Sequence, residues 1–173
     1  LLFGALSSGI MLFGMSLLFG LTGALSFPAL RVATAALSSD LFPCLLMAVS
    51  LMLAGLAFKV SMVPFHMWTP DAYEGAPVAV TALLSVGPKA AGLALFMRII
   101  EALTPAWTAL APVLISLTVA TMTLGNLVAL VQTNVKRLLA YSTIAQVGYL
   151  LIGFSVHTPL GYEALLVYLV AYL

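Results

Sequence analysis

Two lysines lie inside long apolar segments of this 173-residue chain, and their type and position suggest proton chemistry. Lys89 comes twelve residues after Pro77, where one of these segments begins, which places it about 18 Å along a helix. A lysine near the centre of a bilayer is expected to face the protein interior or a water-filled cavity. Desolvation there disfavours the charged ammonium, as is required of a group that takes up and releases protons. The alternative is a structural cation held by an acid on a neighbouring helix.

Lys59 lies seven residues before His66, or about 10 Å from the end of its apolar segment. From there a long side chain can also reach the membrane interface, so depth alone does not separate a proton-relay role from snorkelling. Pro64 favours the relay, because a proline removes one backbone donor and clashes with the carbonyl of Val60, beside Lys59. Irregular backbone at membrane depth is tolerated where it lines a hydrated cavity. We therefore predict a helix break near Pro64 and a role in proton transfer for Lys59.

Pro88 immediately precedes Lys89 and frees the carbonyl of Leu84 in the same way, so a second helix break is predicted there. The two segments are consecutive and expected to be antiparallel, which sets the two lysines about 8 Å apart in depth, a distance that one or two waters can bridge. The acids of the chain all lie near segment ends, too peripheral to neutralise either lysine: Asp40, Asp71, Glu74, Glu101 and Glu163. We infer that a partner carboxylate belongs to another part of the parent protein or to a neighbouring subunit.

Other polar and aromatic residues accompany the lysines. His66, at the end of its segment, is either a titrating group at the start of a proton path or an interfacial residue. Polar side chains recur in the later segments: Thr121, Thr123, Asn126, Ser142, Thr143 and Gln146. They could support a chain of waters, but hydrogen bonding between helices is the commoner role and the one we favour. Packing and anchoring at the interface are the interpretation for the aromatic residues Trp68, Trp107, Tyr141 and Tyr149.

These residues must be positioned by helices long enough to cross a bilayer, which needs about 20 apolar residues each. The chain has five complete candidates and one truncated one: residues 3–25, 41–66, 77–100, 107–131, 138–156 and 160–173. Uninterrupted apolar runs exclude a β-barrel, whose strands need alternating segments of about ten residues. We predict an all-α, polytopic transmembrane helix bundle with at least one broken helix, forming a single transmembrane domain fragment over residues 1–173.

Composition supports the membrane assignment. The chain is 64% hydrophobic and 6% charged, against about 25% charged residues in a soluble domain. Six basic and five acidic side chains are too sparse for a nucleic-acid surface. The single cysteine, Cys44, excludes an internal disulfide or a cysteine-based metal site, and no motif indicates a phosphate loop, a nucleophile or metal ligands.

The loop charges and the two ends of the chain give two further expectations. The adjacent Lys136 and Arg137 have no acid beside them in the sequence, which favours a cytoplasmic position for their loop. The chain begins and ends inside apolar runs, so we expect it to be a central piece of a longer protein.

Two stretches closely resemble a known family: FKVSMVPFHMWTPDAYEGAP at residues 58–77 and GNLVALVQTNVKRLLAYS at residues 125–142. They are similar to the signatures of the antiporter-like membrane subunits of proton-pumping NADH:quinone oxidoreductase, respiratory complex I. Residues 65–70 and the turn at 73–75 look more like chain N of that complex than like its sister antiporter-like chains. Two long motifs in the right order make the match specific. It runs along the whole sequence, although the family's chains have more than twice as many spans.

The resemblance implies roles for individual residues. In the family, the lysine matching Lys59 lies on a broken helix and pairs with a glutamate on an earlier helix, before the start of this chain. The lysine matching Lys89 continues a central hydrophilic axis, and a second broken helix lies beyond the end of this chain. Several relatives carry histidine where this chain has Gln146, and a glutamine orients water but does not titrate. The proton pathway implied here comprises Lys59, Lys89, His66 and Gln146.

The resemblance further implies a proton-translocating membrane-arm subunit of the oxidoreductase, without a redox centre or catalytic residue of its own. NADH, FMN, iron–sulfur clusters and quinone would be bound by other subunits, and coupling would reach this chain through charge and hydration changes. The implied partners are other membrane-arm subunits, including sister antiporter-like chains, and the lipid bilayer of a bacterial inner (plasma) membrane or an organellar inner membrane.

Three alternative functions stay open at this point. One is the equivalent subunit of a cation/proton antiporter or of a membrane-bound hydrogenase. Another is a purely structural membrane subunit, in which the lysines form static ion pairs. A stand-alone secondary transporter is disfavoured by the family resemblance rather than by composition.

Overall fold

The computed structural model describes residues 2–172, and every regular element in that range is helical. The helices are α1 (Leu2–Thr22), α2 (Phe27–Ala35), α3 (Phe42–Val60), α4 (Trp68–Gly75), α5 (Val78–Ala102), α6 (Trp107–Leu130), α7 (Val135–Val156) and α8 (Pro159–Tyr172). Five of them, α1, α3, α5, α6 and α7, are long and apolar enough to cross a membrane. The predicted all-α membrane bundle is therefore confirmed. The last residue of the segment predicted at 160–173 lies outside the described range.

Local sequence explains where two of the helices begin. Ser26 caps α2, its hydroxyl oxygen accepting a hydrogen bond of 3.4 Å from the N–H of Ala29. Asn134 caps α7 by accepting a hydrogen bond of 2.9 Å from the N–H of Lys136. The sequence does not predict α2, because its nine residues are far fewer than a membrane span needs.

The helix break beside Lys59 interrupts the segment predicted at 41–66. α3 ends at Val60, α4 begins at Trp68, and the residues between them, which include Pro64, form turns. The first of these residues, Ser61, adopts a left-handed backbone conformation with φ of 65°. The predicted segment thus ends earlier, at Val60, and the prediction had treated all of α4 as a loop.

Side-chain hydrogen bonds hold the two halves of the broken helix together. The indole N–H of Trp68, at the start of α4, donates to the carbonyl oxygen of Phe58 near the end of α3, at 2.8 Å. The hydroxyl of Thr69 donates to the hydroxyl oxygen of Ser61 at 2.6 Å, and both residues are buried. The break is therefore an ordered turn in which freed polar groups find partners, as irregular backbone at membrane depth requires.

The break predicted at Pro88 does not occur. α5 continues without interruption from Val78 to Ala102, with Pro88 inside it. A proline removes one hydrogen bond from a helix, and neighbouring helices allow membrane helices to tolerate such a residue without breaking. Lys89 accordingly projects from a continuous helix, whereas Lys59 occupies the last turn of one that ends.

Glycines allow two pairs of helices to approach each other closely. A Cβ atom added to Gly14 of α1 would lie 2.6 Å from the backbone nitrogen of Met52 on α3. A Cβ atom added to Gly148 of α7 would lie 2.6 Å from the backbone nitrogen of Met122 on α6. Close backbone approach at small residues is the usual means by which membrane helices pack. Tight pairs of this kind include α1 with α3 and α6 with α7.

Candidate functional site

Lys89 is buried midway along α5, with 2% of its surface exposed. Its ammonium nitrogen lies 5.3 Å from the centroid of the Tyr73 ring, which is within cation–π distance. Within the range 2–172, neither this nitrogen nor the Tyr73 hydroxyl has a hydrogen-bond partner. Lys89 is therefore a buried amine whose neighbour is an aromatic face rather than an acid.

Lys59 lies on the neighbouring helix, in an exposed position. It lines an open groove of about 420 Å³ together with Phe58, Trp68, Pro88 and other residues of α5. Because Pro88 immediately precedes Lys89, the structure brings the two lysines onto adjoining parts of α3 and α5. Among residues 2–172, the ion pairs that form involve neither lysine.

His66 lies in the break between α3 and α4 and is 9% exposed. The centroid of its ring is 6.4 Å from that of Tyr141 on α7, in an edge-to-face arrangement. Within the described part of the chain its Nδ1 atom has no hydrogen-bond partner. A buried imidazole with a free ring nitrogen has the chemistry to exchange a proton with water or with a neighbouring amine.

Gln146 lies on α7, and the hydroxyl of Tyr168 on α8 donates a hydrogen bond to its side-chain oxygen. This contact joins two helices and does not bring Gln146 to either lysine. Similar bonds across helices are made by Asn126, whose side-chain N–H donates to the Tyr149 hydroxyl at 2.8 Å. The geometry at these positions is that of hydrogen bonding between helices, the role that the sequence favours for them.

A cluster of charged side chains fixes the far end of α4. Arg137, at the start of α7, lies 2.8 Å from a carboxylate oxygen of Asp71 and 2.8 Å from one of Glu74. The Lys136 ammonium donates to the backbone carbonyls of Glu74, at 3.2 Å, and Ala76, at 2.9 Å. The α4 helix, which carries Tyr73, is thereby tied to the first turn of α7.

Tyr73 is the functional candidate that sequence reasoning missed. It is 1% exposed and lies on α4, so its contact with Lys89 depends on how α4 folds against α5. It also borders a cavity of about 320 Å³, whose polar lining includes Thr81, Ser85, Lys136, Ser142, Thr143 and Tyr172. Its place in the motif at 58–77 was the one available signal, since no helical spacing connects positions 73 and 89.

Between residues 2 and 172, no group of three or more histidine, cysteine or acidic side chains is arranged to hold a metal ion.

A membrane-spanning bundle with a discontinuous helix and a buried lysine on the helix packed against it defines a class of polytopic membrane proteins with a polar site among the helices. The chain belongs to the NADH:quinone oxidoreductase/Mrp antiporter transmembrane family, whose model matches residues 1–173. The family predicted from the two sequence motifs is therefore confirmed, and the chain is an integral membrane protein.

Individual relatives support the same assignment. NADH-quinone oxidoreductase subunit N of Halorhodospira halophila is 46% identical over 170 residues, covering 98% of this chain and 35% of the relative. A chain of respiratory complex I from Thermus thermophilus is similar in structure, with a TM-score of 0.75 and 35% identity over 98% of this chain and 36% of that one. A chain of the Mrp complex from Dietzia sp. DQ12-45-1b is similar with a TM-score of 0.86 and 30% identity, and the match covers 96% of this chain and 30% of that one. The chain thus spans about a third of the length of the curated relatives it matches.

Proposed function

We propose that this chain forms part of a proton-translocating membrane-arm subunit of NADH:quinone oxidoreductase, with Lys59 and Lys89 acting in series. The observation that carries the proposal is the burial of Lys89 at bilayer depth without a hydrogen-bond partner among residues 2–172. An ionisable group in that position is costly and is characteristic of ion and proton pathways. The name of the relative from Halorhodospira halophila supports the choice of complex.

The two lysines occupy environments that favour different protonation states. Lys59 lies in the last turn of α3, where free backbone carbonyls attract a cation, and it faces an open groove. Lys89 is surrounded by protein, and desolvation disfavours its charged form. Since two cations on adjoining helices also repel each other, gain of a proton by one lysine favours its loss by the other. His66, buried in the break, is the further titratable group proposed for this path.

Electron transfer belongs to other subunits in this proposal. NADH, FMN, iron–sulfur clusters and quinone would be bound there, and a change of charge or hydration would reach Lys59 and Lys89 through the membrane arm. The remaining parts of the subunit, its sister antiporter-like chains and the bilayer of a bacterial inner membrane are the proposed partners. A carboxylate from one of those parts is proposed to face the Lys59 groove.

The test is replacement of Lys89 by glutamine in the full-length subunit, assembled in the intact complex and reconstituted into liposomes. The rate of NADH-driven proton uptake should fall by about tenfold, because a proton-transfer group contributes at least that much to rate, and the number of protons taken up per NADH should fall with it. Arg98→Gln is the matched control, since Arg98 lies on the same helix with 67% of its side chain exposed. An unchanged proton-to-electron ratio in Lys89→Gln would exclude the relay.

The second candidate is a subunit of a cation/proton antiporter, favoured by the similarity to a chain of the Mrp complex. Chains of complex I and of the Mrp complex are both similar in structure to this chain, so the fold does not separate the two candidates and the partner subunits must. Identification of the subunits that copurify with the full-length protein separates the two candidates: flavin and iron–sulfur subunits support the oxidoreductase, and their replacement by other membrane chains supports the antiporter.

A further inference from the structure

Tyr73 contacts the central lysine of the path, yet the proposed function gives it no role. We propose that Tyr73 is a positioning residue for proton transfer, whose ring face holds the Lys89 ammonium and whose side chain also borders a cavity next to α5. This inference rests on the proposed function and names one more component of the same site. It is carried by three observations: the cation–π contact, the burial of both residues and the position of the cavity.

The contact is well suited to hold a protonated lysine away from water. The ammonium nitrogen is 5.3 Å from the ring centroid, and both side chains are almost completely buried, at 2% for Lys89 and 1% for Tyr73. Cation–π attraction is strongest at desolvated sites such as this one. A lysine side chain is a flexible four-carbon stem, so its nitrogen can occupy many positions. A fixed aromatic face restricts the nitrogen to a few of them.

The cavity lies against α5, the helix that carries Lys89. Ser85 lies four residues before Lys89, hence one turn away on the same face of α5, and both Ser85 and Tyr73 line the cavity of about 320 Å³. The cavity extends to Lys136 in the first turn of α7. Tyr73 therefore stands where the cavity ends and the buried amine begins.

The other titratable groups on elements packed against α5 are arranged differently. They are Arg31 on α2, Cys44 and Lys59 on α3, His66 in the break, Asp71 and Glu74 on α4, Lys136, Arg137, Tyr141 and Tyr149 on α7, and Tyr172 at the end of α8. Asp71 and Glu74 are both bound to Arg137 at 2.8 Å, and among residues 2–172 neither forms an ion pair with Lys89. The aromatic face is thus the neighbouring group through which Lys89 can be tuned.

Two substitutions separate the role of the Tyr73 ring from the role of its hydroxyl. Because the hydroxyl is buried without a hydrogen-bond partner among residues 2–172, its removal should cost little. In the intact complex, Tyr73→Phe should keep the wild-type pH profile of proton pumping. Tyr73→Leu should move the alkaline limb of that profile to lower pH by about one unit, the size expected for loss of a desolvated cation–π contact. Tyr149→Leu, on α7, is the control and should leave the profile in place.

A second set of variants keeps the shape of the side chain. Phenylalanines with increasing numbers of fluorine atoms, introduced at position 73, weaken the negative ring face while preserving packing. The alkaline limb of the pH profile of proton pumping should move to progressively lower pH as the number of fluorine atoms increases. Absence of any trend, or an equal shift in Tyr73→Phe and Tyr73→Leu, would overturn the positioning role.

The Lys89→Gln variant separates the two proposals. If that variant pumps normally, the proposed function fails whatever Tyr73 does. If Lys89→Gln abolishes pumping while Tyr73→Leu and the fluorinated series keep the wild-type profile, the relay stands and the role of Tyr73 is refuted.

Discussion

Thr121 on α6 accepts a hydrogen bond of 3.1 Å from the backbone N–H of Val63, which lies in the break between α3 and α4. The two residues are 58 positions apart in the chain. The same hydroxyl donates to the carbonyl of Leu117 in its own helix, at 2.6 Å. A side chain of the tight α6–α7 pair therefore supplies the acceptor that the interrupted helix lacks.

Replacement of Thr121 by valine should loosen the break. The substitution conserves volume but leaves the buried N–H of Val63 without its acceptor, a loss of roughly 1–3 kcal/mol. Hydrogen–deuterium exchange of the peptide covering residues 61–67, measured in the assembled complex, should become about tenfold faster. Thr123→Val is the control, since Thr123 is exposed on the same helix. Equal exchange in both variants would show that Thr121 does not hold the break.

Replacement of Arg137 by glutamine should release the end of α4. One guanidinium bridges Asp71 and Glu74 at 2.8 Å each, and geometry of this kind makes a surface ion pair effective. Exchange of the amides in α4 should rise in the variant, and in the wild type it should rise with salt. Arg98→Gln removes a single exposed pair of 3.7 Å and should have a smaller effect on its own helix. Unchanged amide exchange of α4 in Arg137→Gln would show that Arg137 does not hold this helix in place.

Replacement of Gly148 by alanine should destabilise the subunit. The added Cβ would lie 2.6 Å from the backbone nitrogen of Met122, so α6 and α7 must separate, at a cost of about 1–3 kcal/mol. The amount of assembled complex that survives heating in detergent should fall. Gly20→Ala is the matched control on α1, because its Cβ would meet nothing within 4 Å. A control that is neutral or slightly stabilised is expected from helix propensity.

His157, in the turn after α7, should make the stability of the protein depend on pH. Its ring stacks on Trp107 with centroids 4.1 Å apart, and its Nδ1 atom is 2.7 Å from the Tyr162 hydroxyl. Burial lowers the pKa of His157 below its ordinary value of 6.5. The folded state therefore favours the neutral ring, and its stability falls as the pH drops through 6.5 and the unfolded chain takes up the proton.

The measurement is the thermal unfolding midpoint of the complex at a series of pH values from about 7.5 to 5.5, on either side of the ordinary histidine pKa. The midpoint should decrease towards the acid end, and His157→Phe, which keeps a ring against Trp107, should reduce that dependence. A variant with the same slope as the wild type would show that another group titrates.

The break beside Lys59 could be predicted from sequence because a proline acts locally. The carbonyl affected by Pro64 belongs to Val60, within one turn, and the chain does end its helix there. The same rule failed at Pro88, since a helix surrounded by others can lose one hydrogen bond and continue. Whether a membrane proline breaks its helix thus depends on neighbours that a single segment does not reveal.

The remaining features depend on contacts between distant parts of the chain. Hydropathy identifies helices that cross a membrane, but α2 and α4 are too short and too polar to give that signal. The contact between Tyr73 and Lys89 joins residues sixteen positions apart on different helices, and the Thr121 bond to Val63 joins residues much farther apart. Motif resemblance places these residues in one family site without showing which of them touch.

The two tight helix pairs have a mechanical consequence for the lysines. Lys59 belongs to the α1–α3 pair, whereas α5, which carries Lys89, lies between that pair and α7. A Cβ added to Gly92 of α5 would meet a methyl group of Val60 on α3 and no backbone atom of that helix. At this position α5 therefore contacts α3 through a side chain, whereas in the tight pairs the backbones themselves lie close together. A motion that displaces Lys89 relative to Lys59 would therefore be a shear of α5 along α3. A small slide of α5 along α3 would change the distance between the two lysines without bending either helix.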